Sequence, residues 1–318
     1  MIEFYRPKNL LSNFVLVNGT ARCGKSLISP IIASFENVEV ERMEGVFDYI
    51  SVSHYFGKIE KNCAISLLRT VADEFVYSSY LSRGSNFRWS DHSSVLKSPN
   101  RLKYLRRLFE KEGEETVQRI LREKPIFQNQ GHDQMRFVGL LLDAWPGTFK
   151  MIEITRDPVE LIDAWSRRDW GTRYCADPMA LTPCIRFKEQ AVPFYAHGWE
   201  QEYLDISPID RVIRMLHGLQ TTNRAAYETL NCSDKKQILV LRFEDFVVNT
   251  YSCVDRLADF LNTKKTKATK TAIQKQGCPR QPSQNKRQKR LEIIKKEASS
   301  PYLELVDEMI EDYKTDWF

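Results

Sequence analysis

The residues best placed to do chemistry lie near the amino terminus. Gly19-Thr20-Ala21-Arg22-Cys23-Gly24-Lys25-Ser26 fits the spacing G-x-x-x-x-G-K-[ST]. The apolar run Val15-Leu16-Val17 precedes it, and Leu27, Ile28, Ile31 and Ile32 follow at helical spacing. Strand, glycine loop and helix in that order make a cradle for phosphate or sulfate. The two glycines let the backbone turn sharply and aim its N–H groups at one point. A helix beginning near Gly24 adds unpaired N–H donors and the positive end of its dipole. Lys25 supplies a mobile cation and Ser26 a hydroxyl. The plainer alternative is a strand–turn–helix whose glycines only shape the turn.

Two further segments repeat the pattern of an apolar strand ending in arginine. Met151-Ile152-Glu153-Ile154-Thr155 runs into Arg156-Asp157-Pro158, where Asp157 and Pro158 predict a helix start. Arg156 offers a planar fork suited to a phosphate, or else a structural salt bridge. Ile238-Leu239-Val240-Leu241 runs into Arg242-Phe243-Glu244-Asp245, where the charged residues read as ties between strand end and helix start. Of the five histidines, His132 stands at a strand end, after Pro125-Ile126-Phe127-Gln128-Asn129-Gln130-Gly131. A neutral imidazole there, or a carboxylate at Glu41 or Glu44 after the first helix, is suited to take a proton from a hydroxyl.

These segments need a scaffold that brings strand ends together. Strands alternating with helices predict an α/β fold of phosphate-loop nucleotide-binding type, a parallel sheet flanked by helices in three α/β/α layers. Right-handed crossovers put the loops at Gly19, His132, Arg156 and Arg242 on one carboxyl edge, where such sheets bind ligands. We read residues 1–318 as one domain, with helical insertions at about 58–124 and 169–200 and a basic segment at 263–296. The aromatic-rich second insertion is suited to cover a substrate cleft. Val38-Glu39-Val40 reads as a further short strand.

Composition narrows the class. The chain has 318 residues, 42% hydrophobic and 28% charged, with a net charge of +5. That is ordinary for a soluble globular protein, and no apolar run approaches a membrane span. No secretory pattern opens the chain. Seven cysteines without C-x-x-C pairing or metal spacing predict free thiols, a reducing compartment and a cytoplasmic location. The basic segment holds twelve Lys/Arg and one acid, Glu292, which suggests an anionic partner or a solvated linker.

With its three segments in order, the chain resembles the sulfotransferases that use 3′-phosphoadenosine 5′-phosphosulfate (PAPS). Their phosphosulfate loop is similar to residues 19–26, their 3′-phosphate motif to residues 152–158, and their L-R-Y-E-D-L segment to Leu241-Arg242-Phe243-Glu244-Asp245-Phe246. Trp145-Pro146-Gly147 is similar to the family's approach to the 3′-phosphate strand. The resemblance covers roughly residues 13–45 and 125–262. It implies that Arg22, Cys23, Gly24, Lys25 and Ser26 hold the 5′-phosphosulfate and that Arg156 holds the 3′-phosphate. The family's serine eight residues after that arginine is Ala164 here, and Ser166 is the nearest substitute. Arg280 is a candidate for the 3′-phosphate and adenine side, together with Ser283, Lys286 and Arg287. For catalysis it implies Lys25 on the leaving phosphate and His132 as base, with Glu44 as the alternative base. PAPS is the implied sulfuryl donor, with no metal, and the acceptor is a hydroxyl or amine on a carbohydrate or small molecule.

Two other functions fit parts of the chain. Lys25-Ser26 suits an ATP-dependent kinase whose serine ligates Mg²⁺, although Asp157 and Asp245 each follow an arginine rather than an apolar strand. A nucleic-acid binder working through residues 263–296 would leave the glycine loop without a role, so no nucleic-acid partner is expected.

Overall fold

The computed structural model describes residues 2–91, 93–98 and 100–315. Its centre is a parallel sheet of β1 (Asn13–Asn18), β2 (Ile126–Gln130), β3 (Phe149–Thr155) and β6 (Ile238–Arg242), in the order β2-β1-β3-β6. A separate antiparallel hairpin pairs β4 (Cys184–Phe187) with β5 (Gln190–Pro193). Between β1 and β2 lie α1 (Lys25–Ile32), α2 (Val46–Tyr55), α3 (Lys61–Tyr80), α4 (Arg101–Arg107) and α5 (Glu114–Glu123). Next, α6 (Val138–Ala144) joins β2 to β3. From β3 to β6 run α7 (Pro158–Ser166), α8 (Trp170–Arg173), the hairpin, α9 (Glu200–Asp205), α10 (Pro208–Glu228) and α11 (Cys232–Lys235). The chain finishes with α12 (Phe243–Val248), α13 (Thr250–Leu261), α14 (Lys267–Lys275), α15 (Gln284–Glu297) and α16 (Ser300–Lys314).

Alternation along β1 explains the layers. Phe14 and Leu16 point to one face, where they meet Leu68, Val76, Phe127, Leu141 and Phe149 from α3, β2, α6 and β3. Val15 and Val17 point to the other, against Ile28, Ile31, Ile152, Phe246 and Leu257 from α1, β3, α12 and α13. Both faces are covered, which is the three-layer α/β/α arrangement expected from the sequence. The chain leaves β1 toward β2 on one side and later returns to β3 on the other. The reversal of strand order therefore falls at the carboxyl end of β1, where the glycine loop begins.

Three expectations change. The stretch Val38-Glu39-Val40 is not a strand; isolated bridges from Val38 and Arg42 to β2 replace it. The Glu39 side chain turns inward instead, accepting from Arg107 Nη1 at 2.6 Å, Lys103 Nζ at 2.8 Å and the Tyr104 hydroxyl at 3.0 Å. Gln128 of β2 holds this segment in place through an Nε2 bond to the Glu39 carbonyl, 3.0 Å. The insertion at 169–200 contains the β4–β5 hairpin as well as short helices. The basic segment is neither loop nor linker: it forms α14 and α15, and α15 lies on α7. Arg287 pairs with Asp157, and Arg290 pairs with Glu160 and with Asp163 at 3.0 Å.

Burial alone would push the Glu39 carboxyl up, but Lys103 and Arg107 overrule it and hold it down, from 4.5 to about 2. Its stabilising effect is thus fully present above about 4.5 and is lost as pH falls toward about 2. Arg107→Ala leaves this carboxylate buried with Lys103 as its remaining cation. Urea unfolding at neutral pH should show a loss of about 3–5 kcal/mol.

Candidate functional site

The site is built on the loop between β1 and α1. Gly19 has φ +134°, and a Cβ there would lie 2.3 Å from the Ile154 carbonyl of β3. Gly24 has φ +120°, and a Cβ there would lie 2.2 Å from the Phe243 ring. No side chain can occupy either place, so the loop lies directly on the ends of β3 and β6. Its turn closes through Cys23 N to Thr20 O, 3.0 Å. Gly24 caps α1 without a side-chain hydrogen bond, which leaves the first N–H groups of the helix available as donors.

Neighbouring strand ends fix the loop. Asn18 donates from Nδ2 to Glu153 Oε2 of β3 at 2.5 Å, and its Oδ1 accepts from the Gln134 N–H after β2 at 3.0 Å. Thr20 Oγ1 donates to Asp133 Oδ1, 2.8 Å. Trp165 of α7 donates its indole N–H to the Ala21 carbonyl, 2.9 Å. Arg156 Nη1 donates to the Arg22 carbonyl at 2.6 Å, and its guanidinium lies 4.7 Å from the centre of the Phe243 ring. The two arginine-bearing segments singled out from sequence therefore converge: Arg156 is bonded to the glycine loop itself.

Charge accumulates here. Burial, and then the nearby Arg168 and Arg156 guanidinium groups, lower the affinity of Arg22 for its proton. Part of this charge is met within the fold, because Arg156 Nη2 also lies 3.3 Å from Glu160 Oε2 of α7, the structural salt bridge that is the alternative role for this arginine. The Lys25 ammonium is buried, bonded to the carbonyls of Gly19 and Thr20, the latter at 3.2 Å. Cys23 is buried in the core with its thiol pushed up by burial, so it contributes backbone rather than a nucleophile. The Ser26 hydroxyl is exposed, 3.5 Å from Gln130 Oε1.

Beside the loop opens a cleft of about 440 Å³, lined among others by Ala21, Asp48, His132, Arg168, Trp170 and Tyr195. Asp48 Oδ2 accepts from the His132 backbone N–H at 3.3 Å and lies 3.2 Å from its Nδ1. Burial pushes the Asp48 carboxyl up and His132 opposes the shift; its Oδ1 is buried with no partner. With Asp48 ionised, the Nδ1 contact needs a proton on Nδ1, which leaves Nε2 with the free lone pair. That is the arrangement of a histidine base oriented by a carboxylate.

Other expected residues lie elsewhere. Glu44 is engaged by Arg42, 2.9 Å from its Nε and 2.6 Å from its Nη2, and does not line the cleft. Glu41 is buried and faces a separate cavity of about 200 Å³ that Ser26 also borders; burial pushes it up to about 7. The Ser166 hydroxyl is buried near the end of α7 with no partner. Arg280 donates to the Gln276 and Gly277 carbonyls at 2.8 and 3.3 Å, closing the end of α14. Arg287 and Arg290 are the basic-segment residues that reach α7. Asp48, Asp133, Glu153 and Arg168 were not anticipated: Asp48 sits in an ordinary amphipathic helix, and Glu153 reads as a mid-strand residue. A recurrence of arginine twelve residues after Arg156 was the only available signal for Arg168.

No family model and no curated protein matches the chain. Among solved structures, it is similar to a sulfotransferase domain from the Synechococcus PCC 7002 olefin synthase, at 9% identity and TM-score 0.49, covering 99% of both chains. A sulfotransferase domain from the curacin biosynthetic pathway gives 10% identity and TM-score 0.46, covering 81% of this chain and 77% of that one. The sulfotransferase STF1 from Mycobacterium tuberculosis H37Rv gives 9% identity and TM-score 0.41, with 83% and 71% covered. At these values the functional reading rests on the site's own geometry.

Burial raises the Glu153 carboxyl from 4.5 to about 8. Between those values the folded protein holds a proton that the unfolded chain has released, so stability falls as pH rises, by at most about 1.4 kcal/mol per pH unit. Glu153→Gln keeps an acceptor for Asn18 and should remove this slope in urea titrations across the range.

Proposed function

We propose that the chain is a PAPS-dependent sulfotransferase moving a sulfuryl group to a hydroxyl or amine in the aromatic-walled cleft. The observation that carries this reading is the contact of Arg156 with the Arg22 carbonyl. It joins two anion-binding elements at one sheet edge, as a nucleotide with phosphates at both 3′ and 5′ positions requires. The strand-end cation at Arg156 favours a second anionic group there over the metal-holding carboxylate that an ATP-dependent kinase needs.

The loop from Arg22 to Ser26 and the first turn of α1 hold the 5′-phosphosulfate, and Arg156 holds the 3′-phosphate. His132 Nε2 takes the acceptor proton as the acceptor oxygen or nitrogen bonds to sulfur. The bond from sulfur to the 5′-phosphate oxygen breaks in line, leaving 3′,5′-ADP. Lys25 leaves the loop carbonyls to neutralise the charge that develops on that oxygen, while Arg22 and Arg168 stabilise the equatorial sulfuryl oxygens. Asp48 acts as a positioning residue for His132. The acceptor is a carbohydrate or small molecule, and the scattered cysteine spacing of the sequence supports a cytoplasmic enzyme, with only the Cys175 and Cys184 sulfurs in contact among the described residues, 3.2 Å apart.

Titration calorimetry should find 3′,5′-ADP binding at least about tenfold more tightly than 5′-AMP, a difference of about 1.4 kcal/mol. Arg156→Ala should erase the preference, whereas equal affinities in the unaltered protein would overturn the reading. In a sulfuryl-transfer assay, His132→Gln should lower kcat by about 10²–10⁴-fold. Asp48→Asn should lower kcat at least about tenfold with little change in nucleotide affinity.

A further inference from the structure

The segment between α3 and α5 carries a surface that the site does not use. In α4, Tyr104 and Arg107 turn inward, both buried against Glu39. Leu102 and Leu105 on the outer side of α4, and Leu108 and Phe109 just past its end, are 72%, 36%, 50% and 88% exposed. Four large apolar side chains within eight residues, held in water by a firmly anchored helix, call for a partner. Trp89, 66% exposed, lies in the loop that leads to this helix.

The charges on the same face select the partner. Lys103 and Arg107 share the single carboxylate of Glu39, which leaves one net positive charge there. Glu110 and Glu112, which follow, are paired with Arg119 at 2.9 Å and Arg83 at 2.5 Å. Arg101 and Arg106 are exposed, and among the described residues neither has a carboxylate within ion-pair distance. A second copy of this face would bring like charges together. A neutral apolar partner would leave both guanidinium groups without counter-charge.

We propose that α4 docks the protein onto a bilayer carrying anionic lipid headgroups. Leu102, Leu105, Leu108 and Phe109 enter the boundary of the acyl layer, and Arg101 and Arg106 reach the headgroup phosphates. Ser94, Lys97 and Ser98, in the segment that leads to α4, line the cavity that Ser26 borders. The inference does not depend on what that loop binds.

Vesicle co-sedimentation tests it, with phosphatidylcholine alone and with phosphatidylcholine mixed with phosphatidylserine. The protein should sediment with the mixed vesicles, not with the neutral ones, and less as salt is raised. Leu102→Ser/Phe109→Ser and Arg101→Glu/Arg106→Glu should each weaken binding at least about tenfold, with unchanged circular dichroism. The charge-reversal variant keeps the test decisive if the apolar one fails to fold. Absence of binding to mixed vesicles, equal binding to both kinds, or unaltered binding by folded variants would overturn it. So would a dimer, seen by light scattering, that Leu102→Ser/Phe109→Ser dissociates, since the face would then be a self-interface.

Discussion

The site depends on how closely the backbone of the glycine loop approaches the segments beneath it. At Gly19 the loop rests on the Ile154 carbonyl and at Gly24 on the Phe243 ring, with no room for a Cβ at either place. That contact makes the ends of β1, β3 and β6 a single surface. It lets Arg156, which belongs to β3's end, bond to the Arg22 carbonyl of a loop more than a hundred residues earlier. A side chain at either glycine would lift the loop off β3 and away from Arg156. Asn18, tied to Glu153 on one side and to Gln134 on the other, extends the same surface to the end of β2, where His132 stands.

Electrostatics divides the molecule in a way that serves this surface. Acidic side chains near the loop are buried or half-buried and held by hydrogen bonds: Asp133 holds Thr20, Asp48 holds His132, and Glu153 holds Asn18. The cations Arg22, Arg156 and Arg168 lie near one another beside the loop. The acids of α7 offset part of this charge: Glu160 lies 3.3 Å from Arg156 Nη2 and also pairs with Arg290, while Asp157 pairs with Arg287 and Asp163 with Arg290. The basic segment thereby gains a structural role. It keeps the helix that follows Arg156 in place and limits how much of Glu160's charge falls on Arg156 alone.

Much of this was legible in the sequence because it is local. The order strand, glycine loop, helix is written in Val15 to Ile32, and the alternation of Phe14 and Leu16 with Val15 and Val17 is the two-faced burial of a central parallel strand. His132 and Arg156 stand at strand ends, which right-handed crossovers place on one edge of the sheet. What escaped was non-local. Nothing near Glu39 in the chain announces Arg107, so an inward-turned acid read as part of a strand. Glu44 was a fair candidate base by position, yet Arg42, two residues away, claims its carboxylate. The fold of residues 263–296 into α14 and α15 was hidden because their partners, Ser34 and α7, lie far off in sequence.

The central claim is that the glycine loop and Arg156 form one nucleotide site, and a crystal structure with 3′,5′-ADP bound tests it most directly. The account predicts the 5′-phosphate at the first turn of α1 with the Lys25 ammonium turned onto it, and the 3′-phosphate on the Arg156 guanidinium. A nucleotide seated away from the loop, or one whose 3′-phosphate makes no contact with Arg156, would contradict it.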